Sequence, residues 1–325
     1  MHTLPEYHKF FSDFLKDNIQ PKSPTTLYEP ISYILQLGGK RLRPVLTLLT
    51  TEIFGGAYKQ ALPAALAIEL FHNFSLIHDD IMDAAPLRRG KPTVHKKWNV
   101  NTGILSGDSM LIESYRFFEV YDSDIFLKLV SLFSKTALEV CEGQQLDMDF
   151  EDQKEVAIED YLHMIEYKTA VLVGAAMQMG ALVAGSSNQN QEAVYNFGRY
   201  LGIAFQLQDD YLDTFGDPKT FGKQVGGDII ENKKTYLYLS AIQNSTTEQK
   251  AELLHYFSTE NLLSPVEKVR KVSSLYQETE ADKVTRTAIE NYTDKAFSIL
   301  DTISISKDKK EMLYNFGRDL MDRKV

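Results

Sequence analysis

Along most of the chain, apolar residues recur at three- and four-residue intervals, the period of helices with one buried face. The stretch Ile31–Leu37 follows this period and stops at Gly38–Gly39, a helix-end signal. A second run opens near Pro44, continues through VLTLLTTEIF and ends at Gly55–Gly56. A third begins at about Pro63, carries AALAIELFHNFSLIHDDIMD and ends before Pro86, which would break it. Similar runs cover Asp108–Tyr121, Ile125–Gln145, Ile158–Val183 and Gln191–Asp213, and others follow from Lys234 onward. Alternating β-branched strands are essentially absent, and Gly and Pro fall between helices. The expectation is an all-α protein. No long linker, low-complexity tract or internal repeat divides the sequence, so 1–325 reads as a single domain.

Composition narrows the function. The 325 residues are 43% hydrophobic, enough for a large core. A formal net charge of -10 argues against a general nucleic-acid binder and against docking on an anionic membrane. An anionic substrate would then need local basic residues or a bridging metal. Cys141 is the only cysteine, which excludes an intrachain disulfide and a cysteine metal site. It reads as a packed thiol. The N-terminus, MHTLPEYHKFFSDFLKDN, lacks the pattern of a signal peptide, and no uninterrupted apolar run reaches membrane-spanning length. The expected location is the cytoplasm, without stable membrane insertion.

Two acidic clusters stand out: Asp79-Asp80-Ile81-Met82-Asp83 and Asp209-Asp210-Tyr211-Leu212-Asp213. On a helix, residues i and i+4 share a face, so Asp79 points with Asp83 and Asp209 with Asp213. Carboxylates about 6 Å apart repel by roughly 3 kcal/mol at an effective dielectric of 20. Each cluster ends an apolar helical run, where such repulsion calls for cations. Oxygen ligands without His or Cys favour magnesium or calcium over zinc, and magnesium commonly combines one or two carboxylates with substrate phosphates. A single cluster of this kind also reads as a solvated helix face.

Basic motifs lie close by. Gly38-Gly39-Lys40-Arg41-Leu42-Arg43-Pro44 is not a P-loop, but Lys40 and Arg43 share one side and Pro44 can open the next helix. Leu87-Arg88-Arg89-Gly90-Lys91 follows the first acidic helix, and its adjacent arginines could serve two separate anions. Lys168-Thr169 sits in an apolar helix, where the lysine either needs a partner or snorkels. Gly222-Lys223, Gly226-Gly227-Asp228 and Lys233 follow the second acidic helix. His72, seven residues before Asp79, shares that helix face.

With GGKRLRP, LIHDDIMD, LRRGKPTVH, the Gly-Gln-Gln at 143–145, YKTA and FQLQDDYLD together, the chain resembles the trans-isoprenyl diphosphate synthases, or polyprenyl synthetases. The resemblance implies an all-α orthogonal helical bundle around a deep central cavity, usually a homodimer. It implies magnesium, three ions bound with the allylic diphosphate. Asp79, Asp83 and Asp209 resemble the metal ligands, with Asp80, Asp210 and Asp213 in support. Arg88, Lys168, Thr169, Gln206, Lys223 and Lys233 look like the grip on the allylic diphosphate. Gly39, Lys40, Arg43, His72 and Arg89 look like the isopentenyl diphosphate site. Asp79, Asp83, Asp209, Lys168 and Arg88 would carry the catalysis. The implied reaction is head-to-tail condensation of isopentenyl diphosphate with dimethylallyl, geranyl or farnesyl diphosphate, by ionisation, condensation and elimination.

Product length rests on the helix before the first cluster. At about 1.5 Å per residue, Phe74 lies roughly 7.5 Å and Phe71 roughly 12 Å down the helix from Asp79. Either ring could block a growing chain, and both also read as core aromatics. In the family, one aromatic five positions before a plain DDxxD resembles the geranylgeranyl-forming type, and two adjacent aromatics the farnesyl-forming animal type. Position 75 is Ser, which favours a twenty-carbon product over a fifteen-carbon one. Two rivals are a class I terpene cyclase, against which DDYLD and GGKRLRP argue, and a non-catalytic synthase subunit, which would lose motif residues that are all present here.

Overall fold

The periodicity is realised as helices nearly throughout. The computed structural model describes residues 1–20, 22–153, 155–217, 226–258 and 261–322. Its helices, in chain order, are α1 (Leu4–Asn18), α2 (Thr25–Gln36), α3 (Leu42–Ile53), α4 (Tyr58–Met82), α5 (Val94–Lys97), α6 (Val100–Arg116) and α7 (Ser123–Asp152). Then come α8 (Ile158–Ile165), α9 (Val171–Val183), α10 (Asn188–Phe215), α11 (Gly227–Ile230) and α12 (Tyr236–Asn244). The last four are α13 (Thr247–Tyr256), α14 (Pro265–Glu278), α15 (Ala281–Thr302) and α16 (Lys307–Met321). The one strand pair among the described residues is a two-residue antiparallel ribbon, β1 (Leu87–Arg88) with β2 (Lys91–Pro92), in which Arg88 faces Lys91. The fold is all-α, as the sequence leads one to expect.

The described chain divides into two compact units. The first comprises 1–137 and 175–195; the second comprises 138–174 and the described residues from 196 onward.

In the first unit, α4 is the central helix. Ala61, Ala64 to Leu70, Phe71, Asn73, Phe74 and Ile77 are all buried, so it lacks a polar stripe along most of its length. It begins at Tyr58, five residues earlier than the sequence reading placed it, with Pro63 inside. A proline there removes a backbone donor and disturbs the local ladder. Tyr121 fits its hydroxyl into the opening, donating to Gln60 O at 2.7 Å and accepting from Ala64 N–H at 3.2 Å. α3 packs against the 176–180 stretch at close range. Thr47 Oγ1 donates to Ala176 O at 2.9 Å, and Thr51 Oγ1 to Gly180 O at 3.1 Å. A Cβ at Gly180 would lie 2.3 Å from Thr47 O, so only glycine permits this approach. Helix α1 is an element the sequence reading left out. Thr3 and Glu6 form a capping box at its start, and Tyr7 and Phe11 are buried beneath it.

In the second unit, the run read as one helix over Ile158–Val183 is interrupted. Residues Glu166–Ala170 form a π-helical turn between α8 and α9. Two glycines enclose this turn. A Cβ at Gly143 on α7 would lie 2.2 Å from Lys168 N, and one at Gly202 on α10 would lie 2.8 Å from the Ala170 Cα. The Gly of the Gly-Gln-Gln motif is therefore a backbone crossing point. Phe150, Tyr161, Ile165, Leu207, Ile229, Leu237, Val272 and Tyr276 belong to the unit's apolar core. Cys141, read as a packed thiol, is exposed instead.

Candidate active site

In the first unit, the acidic cluster closes α4. Asp79 is half-buried, Asp83 caps the helix and is exposed, and Asp80 between them is 1% exposed. A buried carboxylate needs a partner. The ribbon just downstream supplies it: Arg88 Nε lies 3.0 and 2.8 Å from the two Asp80 oxygens, and Nη2 lies 2.8 Å from Oδ1. This is the forked contact that a planar guanidinium makes with a carboxylate. Arg88, read from the sequence as a diphosphate contact, is thus anchored on Asp80.

The residues expected to hold isopentenyl diphosphate gather in the same unit. Arg89 donates to Gly38 O, and a Cβ at Gly39 would lie 2.7 Å from its Nη2. The glycine turn is therefore shaped around the Arg89 fork. Arg43 Nη1 lies 3.2 Å from His72 Nε2. Guanidinium only donates, so Nε2 accepts and the proton sits on Nδ1. Burial, followed by the charges of Arg43, Arg89, Arg88 and Arg41, holds the His72 imidazolium well below the usual histidine range, so the ring is neutral. Burial pulls the Arg43 guanidinium down to about 10, which leaves it charged at neutral pH. Its buried Nε has no hydrogen-bond partner among the described residues. Lys40 is exposed at the end of the loop. Arg41, one residue on, turns inward at φ 48° and pairs with buried Glu69, which also accepts from Asn73 at 2.8 Å. That pair is structural, and nothing local in the sequence separates it from the neighbouring cations.

In the second unit, the acidic cluster lies in the last turns of α10. Asp209 and Asp213 are half-buried and Asp210 is 5% exposed. Neutral donors meet Asp210: the Tyr161 hydroxyl and Gln206 Nε2, the latter at 3.2 Å. Burial, then the nearby Asp228 charge, pushes the Asp210 carboxyl well above the usual carboxylate range. Asp213 accepts from Asp228 N–H at 2.9 Å and so fixes the start of α11. Thr169 Oγ1 donates to Gln206 Oε1 at 3.5 Å, and Lys168 Nζ reaches Asp147 at 2.5 Å. Lys233 stands 3.0 Å from Glu231 and 3.9 Å from Asp228. Burial lowers its pKa, but those two carboxylates outweigh this and hold the ammonium above its ordinary range. Thus Lys168, Thr169, Gln206, Lys233 and the acidic cluster share one neighbourhood. Tyr161 and Asp147 belong to it too, and the sequence reading missed both. Lys223, with Gly222, lies outside the described residues.

Among the described residues, no three His, Cys, Asp or Glu side chains converge as a ready metal cage. The donor set is oxygen only. Such a set suits magnesium completed by substrate phosphates and water, and does not suit zinc. Also among the described residues, no helix is long and apolar enough to cross a membrane.

The family model described as Polyprenyl synthetase matches residues 24–278. The chain is 44% identical over 222 residues to the geranylgeranyl diphosphate synthase of Methanosarcina mazei, covering 68% of each chain. A crystal structure of a geranylgeranyl pyrophosphate synthase superposes with a TM-score of 0.96 at 53% identity over 100% of both chains. A geranylgeranyl pyrophosphate synthase of Corynebacterium glutamicum, solved with isoprenyl diphosphate and magnesium, matches at 26% identity and a TM-score of 0.88, covering 99% of this chain and 100% of that one. On matches of this length and identity, the chain belongs to the polyprenyl synthetase family.

Proposed function

We propose that the protein is a short-chain trans-prenyltransferase that condenses isopentenyl diphosphate head-to-tail with an allylic diphosphate, forming geranylgeranyl diphosphate. The observation that carries the reading is the paired chemistry: two acidic clusters of one pattern, each with a buried central carboxylate held by its own partners, and a set of arginines around a neutral histidine. The names of the relatives favour the twenty-carbon product.

In this reading Asp79, Asp83 and Asp209 hold magnesium, three ions in all, and Asp80, Asp210 and Asp213 keep those ligands in place. Bound magnesium would neutralise charge that develops on the departing diphosphate. Lys168 and Lys233 add positive field to the same leaving group, with Arg88, Thr169, Gln206 and Lys223 completing the grip on the allylic substrate. Gly39, Lys40, Arg43, His72 and Arg89 orient isopentenyl diphosphate, whose double bond attacks C1 of the allylic cation. The proton then leaves, taken by the released diphosphate, so no dedicated carboxylate base is required. This also explains how a chain of net charge -10 handles two polyanions: metal and local cations reverse the sign at the site. We read the chain as one catalytic domain that acts as a homodimer in the cytoplasm.

Phe74 sets the floor for the growing chain. It is buried on the same helix as Asp79, its ring 5.5 Å from that of Phe71, which is itself packed edge-on against Phe133 at 5.3 Å. Ser75 is half-buried and its hydroxyl returns to His72 O at 2.9 Å. The test is incubation with radiolabelled isopentenyl diphosphate and each allylic primer, with products sized. A twenty-carbon diphosphate is expected, and Phe74→Ala should lengthen it. A fifteen-carbon end product would overturn the product assignment, and no change in Phe74→Ala would remove Phe74 from this role.

A further inference from the structure

Helix α11 carries Asp228 and leads into Lys233, yet four residues cannot hold a helix unaided. It is held from two directions. From α10, the Asp213 carboxylate accepts Asp228 N–H and the Asp213 backbone carbonyl accepts Gly226 N–H at 2.6 Å. From α14, Val269 occupies the space that a side chain at position 226 would need; a Cβ there would lie 2.5 Å from Val269 Cγ2.

Beside Val269 stands Lys268, only 6% exposed. Its ammonium donates to Ile229 O, to Asn232 Oδ1 at 2.6 Å and to Ile230 O at 3.5 Å. Three N–H donors thus meet three acceptors. Two of these are carbonyls in the last turn of α11, of which Ile229 O also accepts Asn232 N–H at 3.2 Å. The third belongs to Asn232, where the chain turns through a left-handed conformation at φ 60°. Immediately after it, Lys233 N–H returns to Asp228 O at 2.9 Å. The Phe257 ring lies 5.1 Å from the same ammonium. An apolar side chain of similar size would fill this space without the desolvation cost of a buried charge.

We propose that Lys268 is a positioning residue for the allylic diphosphate: by tying the end of α11 to the Asn232 turn, it sets where Asp228 and Lys233 stand, without touching substrate itself. This rests on the prenyl-transfer reading above. Because Lys268 acts on Lys233 and none of the residues around His72, its loss should separate the two substrates. The experiment is steady-state kinetics of the full chain with magnesium, varying the allylic diphosphate and isopentenyl diphosphate in turn. Lys268→Met is expected to raise KM for the allylic substrate about tenfold and to leave KM for isopentenyl diphosphate within about twofold. Lys268→Arg, which keeps charge and donors, should recover most of the loss. If Lys268→Met does not fold by circular dichroism, Asn232→Gly takes its place. It keeps the left-handed turn, removes one acceptor and should raise the allylic KM about threefold. A folded variant with an unchanged allylic KM, or with both KM values raised alike, would overturn the proposal. A wild-type chain that consumes no isopentenyl diphosphate would instead overturn prenyl transfer, before any variant is compared.

Discussion

The ends of α4 and α10 carry the same pattern, DDxxD, and are built differently around it. In each, the middle carboxylate is buried and the first is half-buried. At α4 the buried Asp80 faces a full cation, Arg88. At α10 the buried Asp210 faces a tyrosine hydroxyl and an amide, and its carboxyl is pushed upward by burial and by Asp228. The surroundings repeat the contrast. Arginines crowd His72 near the first cluster, whereas Asp228, Glu231 and Asp147 flank the lysines near the second. One motif therefore does not mean one electrostatic environment. Asp80 comes with its own counter-charge, whereas the donors that the described residues bring to Asp210 are neutral.

The largest expected effect breaks the likeness between the clusters. Asp79→Ala and Asp209→Ala should each reduce kcat by roughly a thousandfold with the helical circular dichroism unchanged. A loss at one cluster only would mean that the other is a charged helix face.

The next effect sharpens the difference. Arg88→Ala leaves the Asp80 carboxylate buried without its cation and should cost about 3 kcal/mol in urea unfolding. Tyr161→Phe removes one neutral donor from Asp210, which keeps Gln206, and should cost only about 1–2 kcal/mol. Equal costs would show that the two supports are equivalent.

The smallest effect concerns His72. Its folded-state pKa lies well below the unfolded value of about 6.5, so below that pH the unfolded chain binds a proton that the folded chain refuses. Stability should therefore fall as pH drops from about 7 towards 5, and His72→Gln should flatten that fall. An unaltered slope in His72→Gln would assign the acid sensitivity to other groups.

What was legible in the sequence follows from distance along the chain. Helical periodicity is a local property, and it located the helices that carry both clusters. Arg88 lies only eight residues from Asp80, yet LRRGK reads as an anion-binding motif, and its pairing with Asp80 appears only in the structure. Tyr161 lies 49 residues from Asp210, and Asp147 lies 21 from Lys168, and only folding brings them together. Periodicity cannot separate the buried Arg41–Glu69 pair from Lys40 and Arg43 beside it, because a left-handed residue at 41 rotates that side chain inward. The early start of α4 was hidden for a similar reason: Pro63 reads as a helix start unless the Tyr121 hydroxyl is known to occupy the gap.

The central claim is metal-dependent prenyl transfer, and its most direct test is label incorporation by the purified wild-type chain. The account predicts that radiolabelled isopentenyl diphosphate and an allylic primer yield a labelled twenty-carbon diphosphate with magnesium, none after chelation, and full recovery when magnesium is restored. Incorporation that persists in excess chelator, or no incorporation with any primer at saturating magnesium, would contradict it.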